Sequence, residues 1–253
     1  MELSPSLHRL CASSLVNSYL VEDAGQITVI DAGLPGLWKD LISELERMGR
    51  SLKDIRAVLL THGDVDHVGF AERLRRDHGV SIWVSEPDAA EARGEVPKPA
   101  TARDPMRLVP MVQFLAYGMT HGGLRRTPVA EVGTFTGGTT LDVPGAPRVI
   151  ALPGHTPGSV AFHVPAVDAL FMGDAMTTRS VTTGRVGPAL GPFTVDPALA
   201  RASLAALEGL TPRWVLPGHG DPWSGGLPEA LRLILAATGG PPALPRRGPR
   251  SRG

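Results

Sequence analysis

The sequence predicts an α/β protein in which sheets pack face to face and helices cover them outside, in layers. Short β-branched and apolar runs fall in two groups along the chain, segments with apolar residues three to four apart are interspersed with them, and Gly and Pro punctuate the junctions. At 253 residues and 42% hydrophobic, the chain can bury a full core, as one α/β domain or two smaller ones.

Taken in order, residues 15–21 and 26–30 are two β-type runs joined by Glu22-Asp23-Ala24-Gly25, a hairpin signature, and the second ends in Asp31-Ala32-Gly33. Leu37, Leu41, Leu45 and Met48 recur at helical spacing, so 37–48 is an amphipathic helix closed by Gly49. The apolar run Ala57-Val58-Leu59-Leu60 is a buried strand. A helix through Leu74 follows the polar motif after it, and 81–84 is another strand. Residues 148–152, 159–164 and 169–172 are strands separated by Gly/Pro-rich turns, and 177–193 reads as a loop. Asp196 caps a helix through Leu207, 214–216 is a last strand and 227–237 a last helix. The tail 239–253 is Pro, Gly and Arg with almost no apolar content and is expected to be disordered.

Residues 86–138 differ in kind. A Pro- and charge-rich connection, Glu95-Val96-Pro97-Lys98-Pro99, precedes the segment 106–119, which is apolar almost all the way round and rich in methionine. Two readings stand: a buried core helix, or a lid whose soft side chains, Met111, Phe114 and Tyr117 among them, line a lipophilic pocket.

Composition excludes several classes. Lys+Arg and Asp+Glu both number 25, so no bulk positive charge steers the chain to nucleic acid. The single cysteine, Cys11, rules out an internal disulfide and a Cys-based zinc site, and is expected to pack as a small apolar residue. Met1-Glu2-Leu3-Ser4-Pro5 lacks a signal-peptide start, and no run approaches the roughly 20 residues of a membrane span. A soluble cytoplasmic protein is expected, with monomer and homodimer both open.

The chemistry centres on Thr61-His62-Gly63-Asp64-Val65-Asp66-His67-Val68-Gly69, where two imidazoles and two carboxylates fall within six residues. The motif sits where the strand should end and a helix begin, near the positive end of the helix dipole. A plainer reading makes Asp66 the cap of a helix starting near His67, Asp64 a turn residue and both histidines surface groups. Against it stand four more clusters, each just after a strand: Asp31, then His155 in Gly154-His155-Thr156-Pro157-Gly158, then Gly173-Asp174, then Gly218-His219. Strand-end loops on one side of a sheet can bring such residues together. The other histidines, His8, His78, His121 and His163, fit no motif and are assigned surface or structural roles.

The order Asp, His-x-Asp-x-Asp-His, Gly-His-Thr-Pro-Gly, Gly-Asp, Gly-His resembles the metallo-β-lactamase superfamily from about residue 17 to residue 219. The resemblance implies a single domain over 1–238, an αββα sandwich of two mixed β-sheets flanked by helices, with a metal site at the sheet edge and 86–138 as a lid or substrate-pocket insertion. It implies that His62, Asp64 and His155 hold one divalent ion, that Asp66, His67 and His219 hold a second, that Asp174 bridges them, and that Asp31 hydrogen-bonds around the motif from outside the ligand set. Zinc is the expected metal. One position departs from the family pattern: Asp64 stands where the second histidine is usual. A carboxylate still binds zinc at about 2.0–2.2 Å, but it is harder and charged, which brings Fe or Mn into consideration.

What the resemblance implies chemically is a metal-bridged hydroxide attacking an ester-like carbonyl (thioester, lactone or ester), with Asp66 orienting it or moving its proton. No Gly-x-Ser-x-Gly elbow offers a competing nucleophile. Asp174 favours the glyoxalase II-like and lactonase-like branch. The expected partner is a small molecule with a lipophilic or acyl portion, and neither nucleic acid nor membrane. The alternatives are β-lactam hydrolysis, including as a side activity; a mononuclear-iron sulfur dioxygenase; phosphodiester cleavage; and a binding protein with a degenerate site.

Overall fold

The computed structural model describes residues 1–10, 13–102, 105–123 and 127–237. Cys11 and the tail 239–253 lie outside them. The strands are β1 (Glu2–Ser4), β2 (Leu7–Leu10), β3 (Ser18–Asp23), β4 (Gln26–Ile30), β5 (Ile55–Leu59), β6 (Ser81–Ser85), β7 (Gly133–Phe135), β8 (Arg148–Ala151), β9 (Val160–Val164), β10 (Ala169–Gly173), β11 (Thr177–Arg179), β12 (Val186–Ala189) and β13 (Trp214–Pro217). The helices are α1 (Trp38–Arg47), α2 (Ala71–His78), α3 (Ala89–Ala92), α4 (Leu108–Thr120), α5 (Pro197–Ser203) and α6 (Leu227–Ala236).

Strand alternation sorts the core into three layers of side chains. Val58 and Leu60 face α1 and α2, where they join Leu37, Leu41, Leu45, Ala71 and Leu74. Ala57 and Leu59 point the other way, into a cluster shared with Phe162, Val164, Phe171 and Leu216 of the second sheet. The far face of that sheet, with Leu170, Met172 and Val215, is covered by Leu204, Leu207, Leu227, Ala230 and Ile234. Helix, sheet, sheet, helix: this is the αββα sandwich the sequence predicts.

The first sheet runs β1 to β7 in sequence order, antiparallel to β4 and parallel beyond it. The second has the order β13-β10-β9-β8, with β10 and β13 parallel. Parallel neighbours end on the same side, so the residues after β4 and β5, and those after β10 and β13, emerge together. The β3–β4 hairpin turns through Ala24 and Gly25, both left-handed at φ 49° and 79°, which suits the right-handed twist of its strands. Asp196 caps α5, accepting from Ala198 N and Leu199 N at 3.0 and 2.9 Å.

Three expectations are corrected. The helix after the His/Asp motif begins at Ala71, not near His67, because residues 65–70 are spent on turns that strap the motif to the end of β4. There Ala32 N donates to His67 O at 2.6 Å and Gly69 N to Gly33 O at 2.8 Å. A Cβ on Gly69 would lie 2.3 Å from Gly33 O, so only glycine allows that approach. The buried-core-helix reading of 106–119 also fails. No residue of α4 is buried, and Leu108, Val109, Val112, Leu115 and Met119 are each more than half exposed. Third, 177–193, read as a loop, contains the β11–β12 pair, whose Gly187 and Pro188 disguise the strand pattern.

Candidate metal centre

All the strand-end clusters open on one edge of the sandwich. His62 and His67 are buried to 1% and 0% exposure, and the residue before α2 is Phe70 with no side-chain cap, so neither the surface-histidine nor the Asp66-cap reading holds. Three groups have ligand atoms within 4.8 Å of one another: His62, Asp64 and His155; His62, His67 and Asp174; and Asp66, His67 and His219. Asp174 lies between them, Oδ2 being 3.1 Å from His219 Nε2 and 3.8 Å from His155 Nε2, and Oδ1 being 3.5 Å from His67 Nε2.

Each imidazole is held from behind by its Nδ1. His67 donates to Asp31 Oδ2 at 2.9 Å, His62 to Thr61 Oγ1 at 2.9 Å, His155 to Thr194 Oγ1 at 3.2 Å, and His219 to the Leu15 carbonyl. This leaves every Nε2 turned inward, the arrangement by which metal-binding histidines are oriented. Asp31 also accepts from Thr61 N at 2.8 Å and Thr61 Oγ1 at 2.8 Å, and it sits at φ 58°, a conformation tolerated by Asp but rare for residues with a Cβ. The His219 loop is pinned by Tyr19 Oη and Asn17 Nδ2, which both donate to Pro217 O at 2.8 Å.

The electrostatics call for a cation. Burial disfavours charge on His219, but Asp174 and then Asp66 outweigh it and raise its pKa to about 9. His67 is raised well above the usual histidine range against the same burial, by Asp31 and Asp174. Asp174 and Asp64 are held well below the carboxylate range despite burial, by His219 and His67 in one case and His155 and His62 in the other. His62 Nε2, His67 Nε2 and Asp174 Oδ1 are buried and meet no hydrogen-bond partner among the described residues. Buried polar atoms without partners are costly, so converging imidazole nitrogens and a carboxylate oxygen of this kind fit divalent metal ions.

The family model of the Metallo-beta-lactamase superfamily matches residues 14–219. The chain belongs to this superfamily. Over 214 residues it is 30% identical to the uncharacterized protein YobT of Bacillus subtilis, covering 81% of this chain and 83% of that protein. It is 31% identical over 161 residues to a hydroxyacylglutathione hydrolase of Cereibacter sphaeroides, covering 63% of this chain and 47% of the relative. Among solved structures, the metallo-beta-lactamase family protein TTHA1429 of Thermus thermophilus superposes with TM-score 0.65 at 25% identity, covering 92% of this chain and 80% of that one. TTHA1623 in a di-iron-bound form superposes with TM-score 0.59 at 28% identity, covering 85% and 92%. Superfamily members bind divalent metals, and this chain is a superfamily hydrolase with His/Asp groups that could hold such ions.

A cavity of about 390 Å³ opens over the centre. Asp64, Asp66, His155, Asp174 and His219 are among its lining residues, and Leu34, Phe114, Leu115, Met119, Val181 and Phe193 supply apolar lining. The Phe114 ring stands edge-on to His219, centroids 6.1 Å apart. Met111 and Tyr117, the other two expected pocket residues, do not line this cavity. Tyr117 packs against the helix-side core and stacks on His121 at 4.0 Å.

Asp88, Lys98 and the cavity-wall Glu91 escape the sequence reading. Asp88 is 1% exposed, just after β6, and bridges the two loops that carry His62 and His155. Lys98 reaches the cavity from the Pro-rich connection, where its charge reads as solvated linker. The signal for Lys98 is indirect: a carboxylate at position 64 where the family pattern has histidine asks for a compensating cation.

Proposed function

We propose that the chain is a metal-dependent hydrolase with two divalent-ion subsites that acts on an ester-like carbonyl, a thioester, lactone or ester bearing a lipophilic or acyl portion. The observation that carries this reading is the convergence of four inward-facing Nε2 atoms and three carboxylates under a cavity with an apolar wall. The hydroxyacylglutathione hydrolase relative supports the ester-like class. Divalent ions held by His62, Asp64 and His155, by Asp66, His67 and His219, and by Asp174 would supply Lewis acidity at the carbonyl oxygen and a water ionised near neutral pH.

The protein's own residues do the rest. Asp66, half-buried at the cavity floor with Oδ2 3.5 Å from His219 Nε2, is the carboxylate that orients the attacking water and carries its proton. Phe114, Leu115 and Met119 present apolar surface toward the centre, so α4 acts as the lid of the 86–138 segment, excluding water and gripping an acyl chain. Zinc is the proposed metal. The carboxylate-rich set also suits iron or manganese, and the di-iron form of TTHA1623 supports iron.

The test is elemental analysis of protein purified without added metal, with turnover of a thioester, a lactone and a chromogenic β-lactam measured on the same sample. Bound zinc, iron or manganese and ester-type turnover abolished by chelator are the expected results. Turnover of the β-lactam alone would reassign the substrate. Iron without any hydrolysis would move the reading to a sulfur dioxygenase.

A further inference from the structure

The first subsite already contains a cation of the protein's own. Lys98 Nζ donates to Asp64 Oδ2 and lies 3.0 Å from His155 Nε2. These are the atoms that the subsite turns inward, since the same Oδ2 is 3.3 Å from His62 Nε2 and 3.0 Å from His155 Nε2. The Lys98 side chain is only 18% exposed, so the ammonium depends on the site for much of its hydrogen bonding. Among the described residues the other subsite has no such occupant: the contacts of His219 Nε2 with Asp66 and Asp174, and of His67 Nε2 with Asp174, are all between the ligand groups themselves.

The lone pair of His155 Nε2 can accept from an ammonium or bind a metal, but not both. A dication about 2.0–2.2 Å from Asp64 Oδ2 and His155 Nε2 would meet Nζ at contact distance, positive against positive. Resting on the metal-centre reading above, we propose that Lys98 is a built-in competitor for the first metal subsite. The subsite of Asp66, His67, His219 and Asp174 fills first and tightly. The His62, Asp64, His155 subsite loads weakly, and only as the ammonium withdraws. This also explains Asp64: a carboxylate at that position pairs its charge with the Lys98 ammonium, where a neutral imidazole offers only a lone pair.

The experiment is a calorimetric titration of metal-stripped protein with Zn²⁺, repeated with Co²⁺ to follow visible absorption, for the wild type, Lys98→Met, Lys98→Gln and Lys98→Arg. The wild type is expected to take one ion tightly and a second weakly. Either neutral variant should tighten the weaker step by about tenfold or more, roughly 1.4 kcal/mol, and leave the tight step in place, whereas Lys98→Arg should keep the wild-type inequality. Circular dichroism establishes that the variants are folded, and having two neutral replacements covers the failure of one. If the neutral variants leave both steps unmoved, or weaken the second, the competition is overturned while the metal centre stands. If no variant and no wild type binds metal, the metal-centre reading falls and takes this one with it.

Discussion

Replacing Asp88 by alanine should loosen the centre without touching a proposed ligand. Its Oδ1 accepts from Gly158 N at 2.7 Å, and its Oδ2 accepts from Thr156 Oγ1 at 2.6 Å and Gly63 N at 3.3 Å. Gly63 follows His62 and Thr156 follows His155, so one buried carboxylate ties together the two loops of the first subsite. In Asp88→Ala the Thr156 hydroxyl can still use Ser159 Oγ, 2.7 Å away, but two backbone N–H groups lose their acceptor. At about 1–3 kcal/mol for each buried donor left unmet, with the longer Gly63 bond at the low end, the loss is about 2–4 kcal/mol. For a chain of this length that lowers Tm by roughly 4–16 °C. Differential scanning calorimetry measures it, and a chelator competition should show metal affinity down about 10–100-fold. Asp88→Asn, which keeps one acceptor oxygen, should fall between. A Tm within about 2 °C of wild type together with unchanged metal affinity would refute the assignment of Asp88 as the tie.

Asp31→Asn keeps a side chain that tolerates φ 58° but removes the charge that holds His67 Nδ1, so metal affinity should drop about 10–100-fold with the far-ultraviolet spectrum unchanged. Equal affinity in a chelator competition would show that Asp31 serves only the backbone. Glu91 on the cavity wall offers a pH test. Burial first, then Asp64 and Asp88, raise it from 4.5 to about 7. A raised carboxyl binds its proton more tightly in the folded state, so its contribution is fully present below pH 4.5 and is lost as pH rises through about 7. Glu91→Gln cannot ionise, and should gain stability relative to wild type from about pH 5 upward, reaching about 1–2 kcal/mol by about pH 8 after allowance for solvent screening. Parallel urea-denaturation midpoints across that range would count against the shift.

Pattern alone picks out Asp31, His62, Asp64, Asp66, His67, His155, Asp174 and His219, because ligand-type residues beside glycines at the ends of apolar strands form a local signature. The amphipathic helix ending at Gly49 and the hairpin turn at Ala24-Gly25 are legible for the same reason: their cause lies within a few residues of their effect. Lys98 and Asp88 are different. A lysine between two prolines reads as solvated linker until the fold sets Asp64, 34 positions away, against its ammonium. Asp88 carries no local signal until loops up to 70 positions distant bring it their N–H groups. The segment 106–119 misleads in the opposite direction, since an apolar surface all round specifies burial only if neighbours exist on every side, and α4 meets the helix-side core through Phe114 and Tyr117 while Leu108, Val109, Val112, Leu115 and Met119 stay more than half exposed. Local periodicity and turn chemistry are written residue by residue, whereas charge pairing and burial depend on which distant segments the two sheets bring to one edge.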